Sequence, residues 1–522
     1  KLPTGFLFSH DASQISENRG KNRFVGYYPY DRNRVVLSSL PGVPNSDYIN
    51  ASFIDGCTTR NHYIAAQAPN RTTLQDFWRM LWERECGYII MLTNIVEASK
   101  QKCEPYWSDT QTMSIGSFTV AVAEKEERAD FVIRTFLVTS AQSGESKTFQ
   151  QFHFISWPDH GVPNIHDFIE FMYRVRHTNP ILPGPVLVHC SAGIGRTGTY
   201  IAIDILLEQM EKTNRIDVSK VLIDMRDQRK GMVQTKEQYE CIFLTMLELF
   251  NYGKTSLANA NFHQQYAQKK GTMIMGKKSV DELAQEVGAL NGTPYTDSPD
   301  KYKIFVGGQD NMFAMFPPSK LAKHGYLLVS DTKVTEDGFW KLIIEYDSFI
   351  IISLSAESGA KFIPRLSGSM THGGTTITTR RQTSVCQDIT EKILHVEAKR
   401  ETEAREIHHY SIHGWSSTLE SSKLMSILTI LTENMYMKQK DVGPVPVTIV
   451  YRDAEAKNAI LLCIANNIIT GIEMDKEVEV FNNTRRFQAI LPNVKVTKED
   501  FTFICNMAFD TLEASTVYAN CP

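Results

Sequence analysis

Residues 61–95, NHYIAAQAPNRTTLQDFWRMLWERECGYIIMLTNI, return in altered form as residues 323–356, KHGYLLVSDTKVTEDGFWKLIIEYDSFIIISLSA. Each stretch carries a tyrosine (Tyr63, Tyr326), a later Phe-Trp pair (Phe77 and Trp78, Phe339 and Trp340) and an apolar run close behind. Two further matches follow in the same order: GPVLVHC (184–190) with GPVPVTIVY (443–451), and VQTKEQYECI (233–242) with VTKEDFTFI (496–504). Ordered self-similarity of this kind points to two copies of one fold. Between the copies, residues 251–279 lose the strong apolar patterning and gather Gly, Asn and Lys. The expected organisation is a first domain over 1–252, a linker over 253–274 and a second domain over 275–522.

In the first copy, short β-rich runs (YIIMLT, FVIRTFLV, FQQFHFI, PVLVH) alternate with amphipathic stretches such as TLQDFWRMLWERE and IHDFIEFMYRVRHT. That alternation predicts an α/β (α+β) fold, a twisted mixed sheet flanked by helices, built twice. A net charge of −4 with both signs dispersed gives no field for nucleic acid or an anionic membrane. The apolar runs GYIIMLTNIV (87–96) and FIIISL (349–354) have the length of buried strands, well short of the roughly 18 residues a membrane span needs. No membrane segment is therefore expected within this chain. Nine cysteines scattered without a CxxC pair argue for reduced thiols, a cytoplasmic compartment and no zinc or other cofactor. The opening KLPTGF, with neither an initiator Met nor a signal-like segment, suggests a piece of a longer protein.

The stretch VHCSAGIGRTG (188–198) concentrates the chemistry. A strand, a glycine-bearing loop and a helix start form an anion site, because free backbone N–H groups converge and the helix dipole adds positive charge. Gly193 and Gly195 let the backbone curl without a Cβ in the way. Cys190 sits where those dipoles and Arg196 favour its thiolate; such surroundings lower a thiol pKa from about 8.5 to roughly 3.5–7.5. Arg196 offers a planar fork that matches two phosphoryl oxygens. Of the nine cysteines only Cys190 has an arginine six positions on, and the combination points to phosphoryl transfer onto sulfur.

HCSAGIGRTG resembles the signature of the protein tyrosine phosphatases. KNRF (21–24), DYINASFI (47–54), KCEPYW (102–107), WPDHGVP (157–163) and QTKEQY (234–239) resemble further motifs of that family in family order. The duplicated half is similar to the tandem cytoplasmic domains of its receptor-type members. The resemblance implies hydrolysis of phosphotyrosine in proteins, with the chain as the intracellular part of a single-pass plasma-membrane receptor. It implies Asp159 as the acid that protonates the leaving oxygen, on a mobile loop framed by Trp157, Pro158, Gly161 and Pro163. Gln234, assisted by Gln238, would orient the hydrolytic water, and the Thr197 hydroxyl would donate to the departing thiolate. Ser191, Ala192, Gly193, Ile194, Gly195 and Arg196 would cradle the phosphate, with Phe24 and Trp157 also on the substrate side. Glu97 would hold Arg196, and His189 would support the loop. Three departures bear on peptide affinity: Phe24 stands where a tyrosine is usual, Gly26 where an Asp or Asn commonly holds the peptide, and QAP (67–69) where QGP is usual. The uncharged residues 191–194 disfavour inositol lipids.

Aligning IVYRDAEAKNA (449–459) with the signature puts Tyr451 at the cysteine and Lys457 at the arginine. Shifting the gap by two puts Ile449 there instead. The lid equivalent HYSIHGWSS (409–417) has no aspartate, and Val496 stands at the Gln234 position. Three roles stay open for residues 275–522: an inert regulatory domain that docks partners, a weak phosphotyrosine-binding module using Lys457 or Arg452, and a live phosphatase. For the whole chain the alternative to an enzyme is a scaffold or phosphotyrosine-binding protein with little turnover.

Overall fold

The computed structural model describes residues 4–159, 161–268, 271–289, 303–304, 314–355, 357–399, 404–413, 428, 432, 445–491 and 494–519. The chain divides into two compact units, Lys1–Asn251 and Tyr252–Pro522.

The centre of the first unit is a set of parallel strands. Gly184–His189 lies between Tyr63–Ala66 and Cys86–Met91, parallel to both, and Ser146–Phe154 runs parallel to Cys86–Met91 on its other side. Cys86–Met91 is buried at every position, so a continuous apolar run was the right pattern for this strand. Antiparallel strands extend the sheet at both edges: Tyr48–Ile54 and Arg34–Val36 beyond Tyr63–Ala66, and Phe131–Ser140, Phe118–Glu127 and Met113–Ile115 beyond Ser146–Phe154. Helices Leu74–Glu83, Ile165–Arg176, Gly195–Thr213 and Lys236–Asn251 match the amphipathic stretches seen in the sequence. Asn164 opens Ile165–Arg176 as an N-cap, its side chain accepting from His166 N (2.9 Å) and Asp167 N (3.3 Å). A helix over Val218–Gln228, capped by Asp217 on Lys220 N at 2.9 Å, was hidden by its polar composition.

The second unit repeats the sheet strand for strand among the described residues. The order Lys303–Ile304, Ala314–Met315, Tyr326–Ser330, Val447–Tyr451, Ile350–Ser353, Arg405–Ile412, Ile389–Ala398, Thr375–Cys386, Ser369–His372 mirrors the first unit position by position. The duplicated tryptophans show why the repeat is legible. Trp78 and Trp340 are both fully buried, and each donates its indole N–H to a backbone carbonyl at 3.1 Å, on Tyr106 and Phe362 respectively. Truncating such a residue costs on the order of 3–5 kcal/mol.

Of the linker expected over 253–274, the described residues 253–268 and 271–274 are folded into the second unit. Leu257–Ala258 pairs with Glu477–Val478, and the helix Asn259–Gln268 buries Phe262 and Tyr266, which stack with ring centroids 5.3 Å apart. Met273 joins them in the core. The surrounding Gly, Asn and Lys residues masked an i, i+4 aromatic pair.

Candidate active site

Cys190 follows the central strand Gly184–His189, at the carboxyl edge of the sheet, where open α/β sheets form their ligand crevices. The helix Gly195–Thr213 starts five residues later, so its unpaired N–H groups and positive dipole end face the loop. Gly193 N–H donates to the Cys190 sulfur at 3.3 Å. Burial works against ionising Cys190, but the Thr197 hydroxyl and N–H, the Arg196 charge and the Gly193 N–H outweigh it and hold the thiol below its ordinary pKa. The buried Thr197 hydroxyl has no hydrogen bond of ordinary geometry, so its effect on the sulfur is a matter of proximity.

The two loop glycines differ in role. Gly193 has φ +70°, and a Cβ on it would lie 2.2 Å from the Ala66 carbonyl oxygen; only glycine fits. Gly195 is helical, and a Cβ there would meet the amide of Gln238 at 3.0 Å. Its smallness makes room for that side chain.

Arg196 is held from three sides. Its guanidinium makes two bonds to Glu97, at 2.6 and 2.9 Å, and donates to Leu92 O at 3.0 Å and Pro158 O at 3.2 Å. The last contact joins it to the WPDHGVP segment, where Trp157 is buried beneath the arginine with the guanidinium carbon 5.7 Å from its ring centre. Asp159, next in that segment, pairs with Lys102 at 3.0 Å, and Lys102 also lies 3.8 Å from Glu97. Glu97, Arg196, Lys102, Pro158 and Asp159 are therefore one connected polar set. Lys102 lies in the KCEPYW motif, and its pairing with Asp159, 57 positions away, leaves no trace in the sequence.

Gln238 accepts from the backbone N–H of Gln234 (2.9 Å) and Thr235 (3.3 Å), fixing the segment that carries Gln234. Ser191 donates its hydroxyl to Lys102 O at 3.0 Å, and Ile194 O accepts from Val233 N at 3.1 Å, tying the loop to the same segment. Phe24 is 41% exposed on a turn anchored by Arg23 N–H to Gln67 Oε1 at 2.9 Å and by Lys230 to Gly26 O at 3.2 Å.

His189 is fully buried. Its Nδ1 faces the Cys190 carbonyl at 3.2 Å, and a carbonyl only accepts, so Nδ1 carries the proton and Nε2 accepts from Tyr106 OH at 3.0 Å. Burial pushes its pKa down to about 4. The folded state therefore favours the neutral ring more than the unfolded chain does, whose imidazoles titrate near 6.5. That stabilisation is complete above pH 6.5 and is lost as pH falls towards 4, a contribution on the order of 3 kcal/mol. In urea titrations of the full chain from pH 7 to 4, His189→Gln should flatten the acid-side loss of stability; an unchanged slope would refute the assignment.

One residue that holds the loop was invisible in the sequence. Arg229 is 1% exposed, and its guanidinium donates to Gly193 O (2.8 Å), Asn50 Oδ1 (2.8 Å), Ser52 Oγ (3.1 Å) and Ala192 O (3.4 Å). By taking the loop carbonyls inward it leaves the N–H groups facing the site. Arg229→Met should lower kcat/KM about 10²-fold, the scale of a small misplacement of catalytic groups, and raise the Cys190 pKa measured by alkylation rate. Unchanged alkylation would place the effect elsewhere.

The equivalent position in the second unit carries different chemistry. Tyr326 pairs with Val447 as Tyr63 pairs with Val186, so strand register puts Tyr451 at the Cys190 position and excludes Ile449. The following helices, Gly195–Thr213 and Ala456–Met474, are both 19 residues long and start at aligned positions. Tyr451 is buried, and burial beside Asp453 pushes its phenol up to about 12. Residues Asp453–Glu455 form a short 3-10 turn where the first unit has its loop. Lys457 pairs with Asp500 at 3.1 Å, and Arg452 pairs with Glu357. Asp500 replaces Gln238, keeping its cap on the Thr497 N–H (2.9 Å) while adding charge. Of the lid equivalent 409–417, residues 414–417 lie outside the described set.

Among the described residues no group of three His, Cys, Asp or Glu side chains is placed to hold a metal, and no helix is long and apolar enough to cross a membrane. The protein-tyrosine phosphatase family model matches residues 18–248 and again 319–510. The chain is 30% identical to human receptor-type tyrosine-protein phosphatase alpha over 98% of its length and 68% of that protein. It is 29% identical to human receptor-type tyrosine-protein phosphatase epsilon over 99% of the chain and 80% of that protein. With human receptor-type tyrosine-protein phosphatase F it shares 35% identity over 68% of the chain, a fifth (20%) of that protein's length. Two matches to the family model, in two units with one strand order, show that the chain belongs to the protein-tyrosine phosphatase family and carries its domain twice.

Proposed function

We propose that the first unit hydrolyses phosphotyrosine in proteins through a cysteinyl-phosphate intermediate, and that the second unit is catalytically silent. The observation that supports the first claim best is the Cys190 sulfur in an N–H-lined loop at a helix start, beside an arginine fixed by a bidentate carboxylate. The thiolate attacks phosphorus, the bond from phosphorus to the tyrosyl oxygen breaks, and Asp159 gives that oxygen its proton. Arg196 and the loop N–H groups stabilise the equatorial charge. Water, oriented by Gln234, then attacks the phosphocysteine; its proton passes to Asp159, and the sulfur leaves as thiolate with Thr197 donating towards it. Phe24 would stack on the substrate ring at the rim, where phosphoserine is too short to reach the sulfur.

Phosphate release from a phosphotyrosine peptide and its phosphoserine analogue by the full chain tests this. Turnover of the first and not the second is expected. Binding without turnover would favour the scaffold alternative.

The buried Tyr451 and the 3-10 turn Asp453–Glu455 favour a regulatory or docking role for the second unit over phosphotyrosine binding, because they take the place of the phosphate loop. In the full chain carrying Cys190→Ser and Arg196→Ala, phosphopeptide titration should give no saturable binding. Residual binding lost on adding Lys457→Ala would reverse that assignment. The names of the relatives are the grounds for proposing that the chain works as the intracellular part of a membrane receptor.

A further inference from the structure

Gln234 is held at its side-chain amide as well as its backbone. Its Nε2 donates to the Tyr27 hydroxyl oxygen at 3.2 Å. Its Oε1 lies at the other end, 3.4 Å from where a Cβ on Gly195 would stand, over the last residue before Arg196. An amide has a donor end and an acceptor end, and the two exchange places if it flips. A flip here would cost the bond to Tyr27 and set two oxygens against each other unless the phenol turned to donate.

Tyr27 is itself a fixed platform. Its carbonyl accepts from Asn50 Nδ2 at 2.8 Å, and Asn50 Oδ1 is held by Arg229, the arginine that also grips the Gly193 carbonyl. Its ring lies against Gly231: a Cβ there would be 3.7 Å from Tyr27 Cε1 and 3.6 Å from Ile194 Cδ1 of the signature loop. Tyr27 and the phosphate loop are thus positioned by the same buried group.

We propose that Tyr27 is a positioning residue for the second chemical step: its hydroxyl fixes the Gln234 amide with the carbonyl oxygen towards the loop, where it accepts a hydrogen bond from the attacking water. This rests on the phosphocysteine mechanism above and assigns Tyr27 no part in the first step. The geometry also gives a reason for a phenol at 27 on a turn whose exposed aromatic, Phe24, has no hydroxyl.

The test is rapid-quench kinetics of the full chain with a phosphotyrosine peptide, comparing wild type, Tyr27→Phe, Gln234→Ala and the double variant. Tyr27→Phe keeps the ring and removes one neutral hydrogen bond, so decay of the acid-trapped phosphoenzyme should slow about 5-fold. The rate of its formation and kcat/KM, which report the first step, should stay unchanged. The double variant should decay no more slowly than Gln234→Ala alone. Wild-type decay in Tyr27→Phe, additive losses in the double variant, or an equal fall in kcat/KM would each overturn the proposal while leaving the phosphatase mechanism intact. A wild-type chain that forms no phosphoenzyme would instead overturn that mechanism, and this inference with it.

Discussion

Cys190→Ser in the full chain should abolish phosphotyrosine hydrolysis, by roughly 10⁴-fold or more, the scale seen when an enzyme loses its nucleophile. A serine hydroxyl stays protonated at neutral pH, and the groups that favour the Cys190 thiolate cannot ionise it. The cradle survives, so the variant should still bind phosphopeptide and protect the chain thermally in its presence. The size of the loss also counts the working sites. If the second unit contributed, turnover would persist; with Tyr451 at the equivalent position and Lys457 paired to Asp500, none is expected. Phosphate release by the variant above about 1% of wild type would mean a second live site.

Arg196→Lys should be nearly as damaging, lowering kcat about 10³-fold, the upper range for losing a single transition-state donor. An ammonium keeps the charge but loses the fork, whose two terminal nitrogens each bond a Glu97 oxygen, at 2.6 and 2.9 Å. The bond to Pro158 O would go as well, loosening the segment that carries Asp159. Because Glu97 would keep its charge and lose a bidentate partner, Glu97→Gln should partly restore the lysine variant if mispositioning dominates. No rescue would assign the loss to the missing phosphate contacts. Steady-state kinetics on the single and double variants separate the two.

The sequence carried the scaffold because buried strands and amphipathic helices leave patterns that survive duplication. Trp78 and Trp340 stand in the same place because a large ring in a packed core tolerates few replacements. Cys190 and Arg196 could be read together because they lie within six positions of each other in one loop and helix start. What could not be read lies in contacts between distant segments. Arg229 looks in sequence like any polar helix-end residue, yet four hydrogen bonds from 36 to 179 positions away make it the anchor of the loop. Lys102 and Tyr27 escaped for the same reason. The linker assignment erred because composition averages over a window, and two aromatic rings one helical turn apart outweigh the polar residues around them.

The folding of residues 252–268 and 271–274 into the second unit decides where the chain can be cut. A fragment beginning at 275 would discard Phe262, Tyr266 and Met273, leaving a cleft along the helices they pack against and an unpaired edge at Glu477–Val478. Such a fragment should be sticky and poorly soluble for reasons unrelated to its role, and any partner it captured would be suspect. A cut at 252 keeps that core whole, so the second unit's own interactions are best sought with those 23 residues attached.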